Sequence, residues 1–229
     1  MIPKRIIQVY ENNNLPMLYK ISQEIIKEKC PTYEYILYNN RTRHEFINLY
    51  YPQYIDLYDS LLDVNKNMLF VLLELHKNGG IYLDMDVILH KSFDELLDKD
   101  CCIMPLSCNH TLDKYCICSN PNNLFIFYLI LQISNKYNNN SNFISKKILF
   151  ELYEKYKEHK NHKEHIVIIF SDYNDCFGNF LYNVKINSGI NKYPDWFKNN
   201  IYESYTKNKV KHTLLSDIKW LDDITYKFH

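Results

Sequence analysis

Two carboxylates stand one residue apart in the segment Gly79–Val87, GGIYLDMDV, where Asp84 and Asp86 follow the short apolar run 81–83. The run predicts a buried strand with two acids at its end. Side chains two residues apart on a strand share a face, so both carboxylates can bind one cation. Oxygen ligands of this kind suit Mg²⁺ or Mn²⁺, which complete their coordination with water and substrate phosphates.

The residues before this segment predict the elements that hold it. Residues 66–78 are apolar through more than one helical turn, which predicts a mostly buried helix capped by Asp63 or Asn65. Gly79 is suited to end that helix in a left-handed conformation, and Gly80 lets the backbone enter the strand tightly. The acids then lie at the carboxyl end of a core strand, where α/β folds bind ligands.

The remaining pattern predicts one α/β domain over residues 1–229, with a mostly parallel central sheet flanked by helices and a loop-rich C-terminal part. The N-terminal elements are a strand at 5–10, a helix at 16–29, a strand at 33–38, a helix at 39–50 and a short helix at 52–61. Later elements are a strand at 101–106, helices at 121–136 and 143–159, a strand at 166–170 and an extended stretch at 209–215.

Charge and hydropathy exclude several classes of partner. Lys+Arg and Asp+Glu both number 27, so there is no global basic field for nucleic acid or anionic lipid. The longest apolar run, 124–133, is shorter than the roughly 20 residues of a membrane span. The N-terminal residues do not resemble a signal peptide. We therefore expect a soluble, cytoplasmic protein with no integral membrane span and no nucleic-acid partner.

The cysteines predict buried, reduced thiols. Seven are present, at positions 30, 101, 102, 108, 116, 118 and 176, and an odd number without an export signal does not indicate a disulfide framework. The group between 101 and 118, together with His110, leaves zinc binding open as an alternative, although it lacks a CxxC pair.

Three stretches, in order, resemble one known family. GGIYLDMDV resembles the signature of glycosyltransferases with a DXD sugar-binding region, IPKRIIQVY near the start is similar to the family's IPKIIHQIW, and CPTYEYILYNN is similar to its NPxYEYxLW. This family includes yeast-type initiating mannosyltransferases and is distantly similar to the clostridial glucosylating toxins. The resemblance covers about residues 1–95 and continues weakly through 116–125.

The resemblance implies a GT-A-like, Rossmann-like fold and a metal-dependent transfer of sugar from a nucleotide-sugar donor, a UDP- or GDP-sugar, with retention of configuration. The cation would be Mn²⁺ or Mg²⁺. Residues 1–95 would bind the nucleotide-sugar and metal, and residues 96–229 would form the acceptor side. The acceptor, whether glycan, protein or lipid, stays open, as does the sugar.

The same resemblance assigns the site residues. Asp86 would bind the metal directly, and Asp84 would contact the donor's ribose or sugar and assist at the metal, so this pair would carry catalysis. The C-terminal KHTLLSDIKW is loosely similar to a family element that adds His212 as a metal ligand. The donor-binding set would comprise Pro3, Gln8, Tyr10, Gly80, Tyr82 and Asp84.

The chain also departs from the family pattern at the expected donor site. In the family an Asp and, three residues later, an Arg project from the helix before the glycine pair; here those positions are Met68 and Val71. Each lost charge-assisted hydrogen bond is worth roughly 1.5 to 3 kcal/mol. Either the donor is held differently, or activity is reduced or absent.

Three alternatives to an active transferase follow. A degenerate transferase would keep the fold and metal as a binding module. A haloacid-dehalogenase-type phosphatase also carries a DxD at a strand end, but on its first strand and followed by Gly-Thr, unlike the Val87-Ile88 found here. A purely structural α/β protein would leave the three ordered matches unexplained.

Overall fold

The computed structural model describes residues 1–85, 87–89, 92–98, 100–107, 111–112, 114–137, 145–158, 166–170 and 225–227. Within these residues the helices are α1 (Met17–Lys29), α2 (Asn40–Tyr50), α3 (Ile55–Ser60), α4 (Asp63–Asn78), α5 (Leu124–Tyr137) and α6 (Lys146–Glu158). The strands are β1 (Arg5–Val9), β2 (Glu34–Tyr38), β3 (Gly80–Leu83), β4 (Val87–Leu89), β5 (Cys102–Ser107), β6 (Thr111–Leu112), β7 (Cys116–Ser119), β8 (Ile166–Phe170) and β9 (Thr225–Lys227).

The chain divides into two compact units. The first comprises Met1–Leu15, Thr32–Met85 and Asp94–Ile169, and the second comprises Pro16–Pro31, Asp86–Phe93 and Phe170–His229. The order of strands and helices predicted for the first 83 residues is confirmed. The predicted extended stretch at 209–215 lies outside the described residues.

The main sheet has the strand order β2-β1-β3-β7-β5-β6, and β8 also pairs with β5. The β1–β2 and β1–β3 pairs are parallel, whereas the β3–β7, β7–β5 and β5–β6 pairs are antiparallel. The expectation of a mostly parallel sheet is therefore wrong, and the sheet is mixed. For the β7–β5 and β5–β6 pairs the reason is that β5, β6 and β7 follow one another within 18 residues, whereas parallel neighbours need a crossover of a dozen or more residues between them.

Helix α4 covers one face of this sheet and forms the centre of the core. Nine of its residues are buried, and the seven apolar ones belong to one hydrophobic cluster with the sheet residues Ile7, Val9, Tyr82 and Ile117. Burial around most of its circumference explains the apolar run that the sequence shows. The predicted cap by Asp63 or Asn65 is wrong, because the N-cap residue is Leu62 and Asp63 already begins the helix. An acid in the first turn still favours the helix dipole.

A turn of two glycines joins α4 to β3. Gly79 has φ +66° and Gly80 has φ +120°, which confirms the predicted left-handed end of the helix. A Cβ on Gly79 would lie 2.8 Å from Pro121 and 2.9 Å from Pro3, and one on Gly80 would lie 2.9 Å from the Arg5 carbonyl oxygen. Only glycine meets both demands, so these two residues fix where β3 begins.

In the second unit, β4 pairs antiparallel with β9 and contacts α1. The Ser22 hydroxyl of α1 donates to the Val87 carbonyl at 2.6 Å. Among all the residues that the structure describes, no helix is both long enough and apolar enough to cross a membrane.

Candidate functional site

Asp84 follows β3 directly, and its main chain is held from both sides. Its N–H donates to the Tyr115 carbonyl at 2.9 Å, and its own carbonyl accepts from Gln8 Nε2 at 3.1 Å. β3 ends at Leu83 and Met85 lies in a turn, so the strand does not continue through Asp84 and Met85, contrary to expectation. Asp84 is fixed by these hydrogen bonds and not by strand pairing of its own.

The carboxylate of Asp84 is oriented by Tyr82. The Tyr82 hydroxyl donates to Asp84 Oδ1, and the Tyr82 side chain is buried in the core while Asp84 is half-buried. An outer partner of this kind orients metal-binding carboxylates in many sites. The carboxylate oxygens of Asp84 are the ligand type that Mg²⁺ and Mn²⁺ prefer, so this residue fits the expected metal.

Gln8 on β1 joins Tyr35 on β2 to the main chain of Asp84 through hydrogen bonds. It is fully buried, its Oε1 accepts from the Tyr35 hydroxyl at 2.6 Å, and its Nε2 holds the Asp84 carbonyl. The amide thus acts on the backbone of the acid. Contact of Gln8 with a nucleotide, which the family resemblance implies, stays a prediction.

The other expected donor-binding residues lie at different ends of the sheet. The parallel register sets Ile7 beside Tyr82, which brings Tyr10, just after β1, to the same sheet end as Asp84. Pro3 packs against Gly79, at the opposite end of β3, and Gly80 lies inside the sheet beside β1. The structure therefore brings Gln8, Tyr82 and Asp84 into contact and does not bring Pro3 or Gly80 to that cluster.

Two expected metal ligands, Asp86 and His212, lie outside the described residues. Within the described ranges, no three His, Cys, Asp or Glu side chains come together as a metal site.

The cysteines between 101 and 118 fit the packing interpretation where they are described. Cys101, Cys102, Cys116 and Cys118 are buried, and burial raises the pKa of the Cys102 thiol. In the sheet register, Ile103 and not Cys102 is the partner of Cys118. Cys108 and His110, on which the zinc alternative depends, lie outside the described residues.

A buried charge network supports the glycine turn from below. Glu74 on α4 is fully buried, and its Oε1 accepts from Arg5 Nη2 at 3.0 Å, Asn78 Nδ2 at 3.1 Å and the Tyr38 hydroxyl at 3.3 Å. Arg5 Nη1 also donates to the Gly79 carbonyl at 3.0 Å. Burial raises the pKa of Glu74 despite these partners. Sequence reasoning missed this network, although an acid inside the apolar run 68–75 is a signal that it could have used.

The expected donor-site face of α4 is apolar in the structure as in the sequence. Met68 is 4% exposed and Val71 is 1% exposed, and both belong to the hydrophobic core. Neither position offers a polar group to a ligand.

The segment that contains Asp84 is similar to a known family of proteins. Residues 16–103, which include Asp84 and Asp86, match the family model described as a glycosyltransferase sugar-binding region containing a DXD motif. The resemblance to the DXD glycosyltransferases is confirmed. The chain is 35% identical to inositol phosphoceramide mannosyltransferase 3 of Schizosaccharomyces pombe over 97 residues. This match covers 42% of the chain and 27% of that protein.

A second relative gives the same picture. The chain is 29% identical over 98 residues, 42% of its length, to mannosyl phosphorylinositol ceramide synthase SUR1 of Saccharomyces cerevisiae, covering 26% of that protein. The chain thus spans about a quarter of the length of these relatives.

Among solved structures, the PaToxG glycosyltransferase is similar with a TM-score of 0.54 at 18% identity, over 69% of this chain and 70% of that one. This similarity confirms the predicted GT-A-like fold of a glycosyltransferase.

Proposed function

We propose that this chain is a metal-dependent glycosyltransferase that moves a sugar from a nucleotide-sugar to an acceptor. The observation that carries the proposal is the fixation of Asp84. Within the segment that matches the DXD family model, Tyr82 orients its carboxylate while Gln8 and the Tyr115 carbonyl hold its main chain. Three independent contacts on one half-buried acid are what a preorganised ligand site requires.

In this proposal Asp86 binds Mn²⁺ or Mg²⁺ directly, with His212 as a further ligand, and Asp84 contacts the donor's ribose or sugar and assists at the cation. A bound divalent cation neutralises the charge that develops on the diphosphate leaving group. The chain's own part is to hold the carboxylate in a fixed orientation, so that little reorganisation is needed during transfer. Tyr10, at the same sheet end, is proposed to line the nucleotide pocket.

The names of the relatives suggest which donor and acceptor to test. The names of the two relatives specify mannosyl transfer to inositol-containing ceramides, so a mannose-bearing nucleotide is the first donor to test. Transfer with retention of configuration is proposed from the family resemblance.

One alternative is favoured by a specific observation. Met68 and Val71 are buried core residues, so at these two positions the helix lacks the polar side chains that hold the donor in the family. A degenerate transferase that binds metal and nucleotide without turnover is consistent with this.

Turnover decides between the two. The whole chain is incubated with a panel of UDP- and GDP-sugars and Mn²⁺, and donor hydrolysis and transfer are scored for the wild type, Asp86→Ala and Asp56→Ala. Asp56 is an exposed acid on α3 and serves as the matched control. The transferase predicts turnover that Asp86→Ala abolishes and Asp56→Ala preserves. Metal-dependent nucleotide binding without turnover would establish the degenerate alternative instead.

A further inference from the structure

Arg43 on α2 is a buried arginine whose hydrogen-bond partners in the described part of the chain are all neutral. It is 4% exposed, and its guanidinium donates to the side-chain oxygens of Asn67 on α4 and Asn40 on α2, and to the Asn39 carbonyl at 3.3 Å. A capping box between Asn39 and Thr42 fixes the start of α2 and hence the position of this side chain. The sequence RTRHEF alone does not distinguish Arg43 from its exposed neighbours.

Where the structure describes the chain, the charge of this guanidinium is not matched by a contact with an acid. Among the described residues no carboxylate forms an ion pair with it within 4.0 Å, and the carboxyls of Asp63 and Glu11 act on it only from farther away. Burial accordingly lowers the pKa of Arg43. A buried cation is costly unless it is paired. An anion bound next to Arg43 would therefore be attracted by a charge that no neighbouring acid neutralises.

The path of the chain puts Asn67, the α4 partner of Arg43, at about the level of Asp84. Five residues of extended chain separate Gly79 from Asp84, which is about 16 Å at roughly 3.3 Å per residue. Helix α4 precedes Gly79 and rises about 1.5 Å per residue. Following it backward from Gly79 over the same distance of about 16 Å, about 11 residues, leads to approximately position 68. Asn67, the α4 partner of Arg43, lies at this level.

Tyr82 lies near both groups. It faces α4 in the core, its hydroxyl donates to Asp84, and it is one of the groups whose field acts on Arg43. Asn67 lies one helical turn before Val71 on the same face of α4. A guanidinium from α2 therefore reaches the α4 face on which this chain carries valine.

We propose that Arg43 binds the diphosphate of the nucleotide-sugar donor, exchanging the amide oxygens of Asn40 and Asn67 for phosphate oxygens. The inference rests on the proposed function, and it makes the Arg43 guanidinium the partner of the negatively charged diphosphate. Two carboxylates and one divalent cation leave a bound diphosphate unneutralised, and a planar guanidinium recognises phosphate oxygens in pairs. Met68 and Val71 are then compatible with an intact donor site.

Calorimetry with Mn²⁺ tests this assignment, using UDP, GDP and the corresponding nucleosides as probes. The variants are Arg43→Met and Arg43→Lys, with Arg41→Met as the matched control. Arg41 lies on the same helix, but its side chain is 86% exposed and pairs with Glu45. Melting temperatures are recorded for every variant.

We expect Arg43→Met to weaken binding of the preferred diphosphate by about 10- to 100-fold, with nucleoside affinity unchanged. Arg43→Lys keeps the charge without the paired donors and should weaken diphosphate binding by about 3- to 10-fold; it decides the question if Arg43→Met does not fold. Arg41→Met should bind as the wild type does.

The outcomes separate the two proposals. A wild type that binds a diphosphate, with Arg43 variants within two-fold of it or weakened equally toward the nucleoside, would overturn the role of Arg43 alone. A wild type that binds neither diphosphate would overturn the proposed function and this inference together.

Discussion

Replacing Tyr82 by Phe removes one hydroxyl and leaves the aromatic ring that packs against α4. In the structure that hydroxyl donates to Asp84 Oδ1. A hydrogen bond to a charged acceptor is worth about 1.5 to 3 kcal/mol. The ring stays buried, and because Asp84 is only half-buried, water can replace part of this hydrogen bond. We therefore expect the free energy of unfolding to drop by only about 1 kcal/mol.

The effect on ligand binding should be larger. Loss of an outer partner of a metal ligand typically lowers metal affinity by about 10- to 100-fold, so we expect a decrease of that size in Mn²⁺-dependent nucleoside diphosphate binding. Titration calorimetry measures the binding, and urea denaturation measures the stability.

Tyr51→Phe provides the matched control for this change. The Tyr51→Phe substitution also removes a hydrogen bond, from the Tyr51 hydroxyl to His76 Nδ1 at 2.7 Å. His76 lies in the last turn of α4, the end of the helix that is farther from Asp84. We expect Tyr51→Phe to bind nucleotide as the wild type does. Equal affinities for the wild type and Tyr82→Phe, with both proteins folded, would refute the role given to the Tyr82 hydroxyl.

Two further predictions concern the support of the site. Gly79→Ala places a Cβ 2.8 Å from Pro121 at a φ of +66°, and we expect it to lower the free energy of unfolding by at least about 3 kcal/mol in urea denaturation; a loss below about 1 kcal/mol would contradict the strain argument. Burial raises the folded-state pKa of Glu74 above its ordinary 4.5, so its stabilising contribution is full below pH 4.5 and is lost as pH rises through the folded pKa. The stability of the wild type relative to Glu74→Gln should therefore fall with rising pH in denaturation at pH 4 to 8, and a constant or rising difference would be evidence against the raised pKa.

Local sequence patterns predicted the part of the site that depends on neighbouring residues. The apolar helix, the glycine pair and the strand before Asp84 are encoded within about 20 consecutive residues, and the structure has all three. The same local logic failed at the next step, because it continued the strand through Asp86 whereas β3 ends at Leu83. Hydrogen bonds from other elements, and not the local pattern, fix Asp84.

Residues that act across the sheet could not be predicted. The Gln8 amide reaches both Tyr35 and Asp84 only because β1 pairs in parallel with β2 and β3, and register is a tertiary property. Strand β7 was missed because Cys116–Ser119 is buried throughout and shows no alternation. Arg43 lies in a polar helix sequence, and its burial follows from how α2 packs beside α4.

The central claim is that the DXD segment forms a metal-dependent site for a nucleotide diphosphate. Its most direct test is calorimetric titration of the whole chain with UDP and GDP, with and without Mn²⁺, for the wild type, Asp86→Ala and the exposed control Asp56→Ala. We predict binding by the wild type that requires Mn²⁺, persists in Asp56→Ala and is abolished in Asp86→Ala. Absence of Mn²⁺-dependent binding in the wild type, or unchanged affinity in Asp86→Ala, would contradict it.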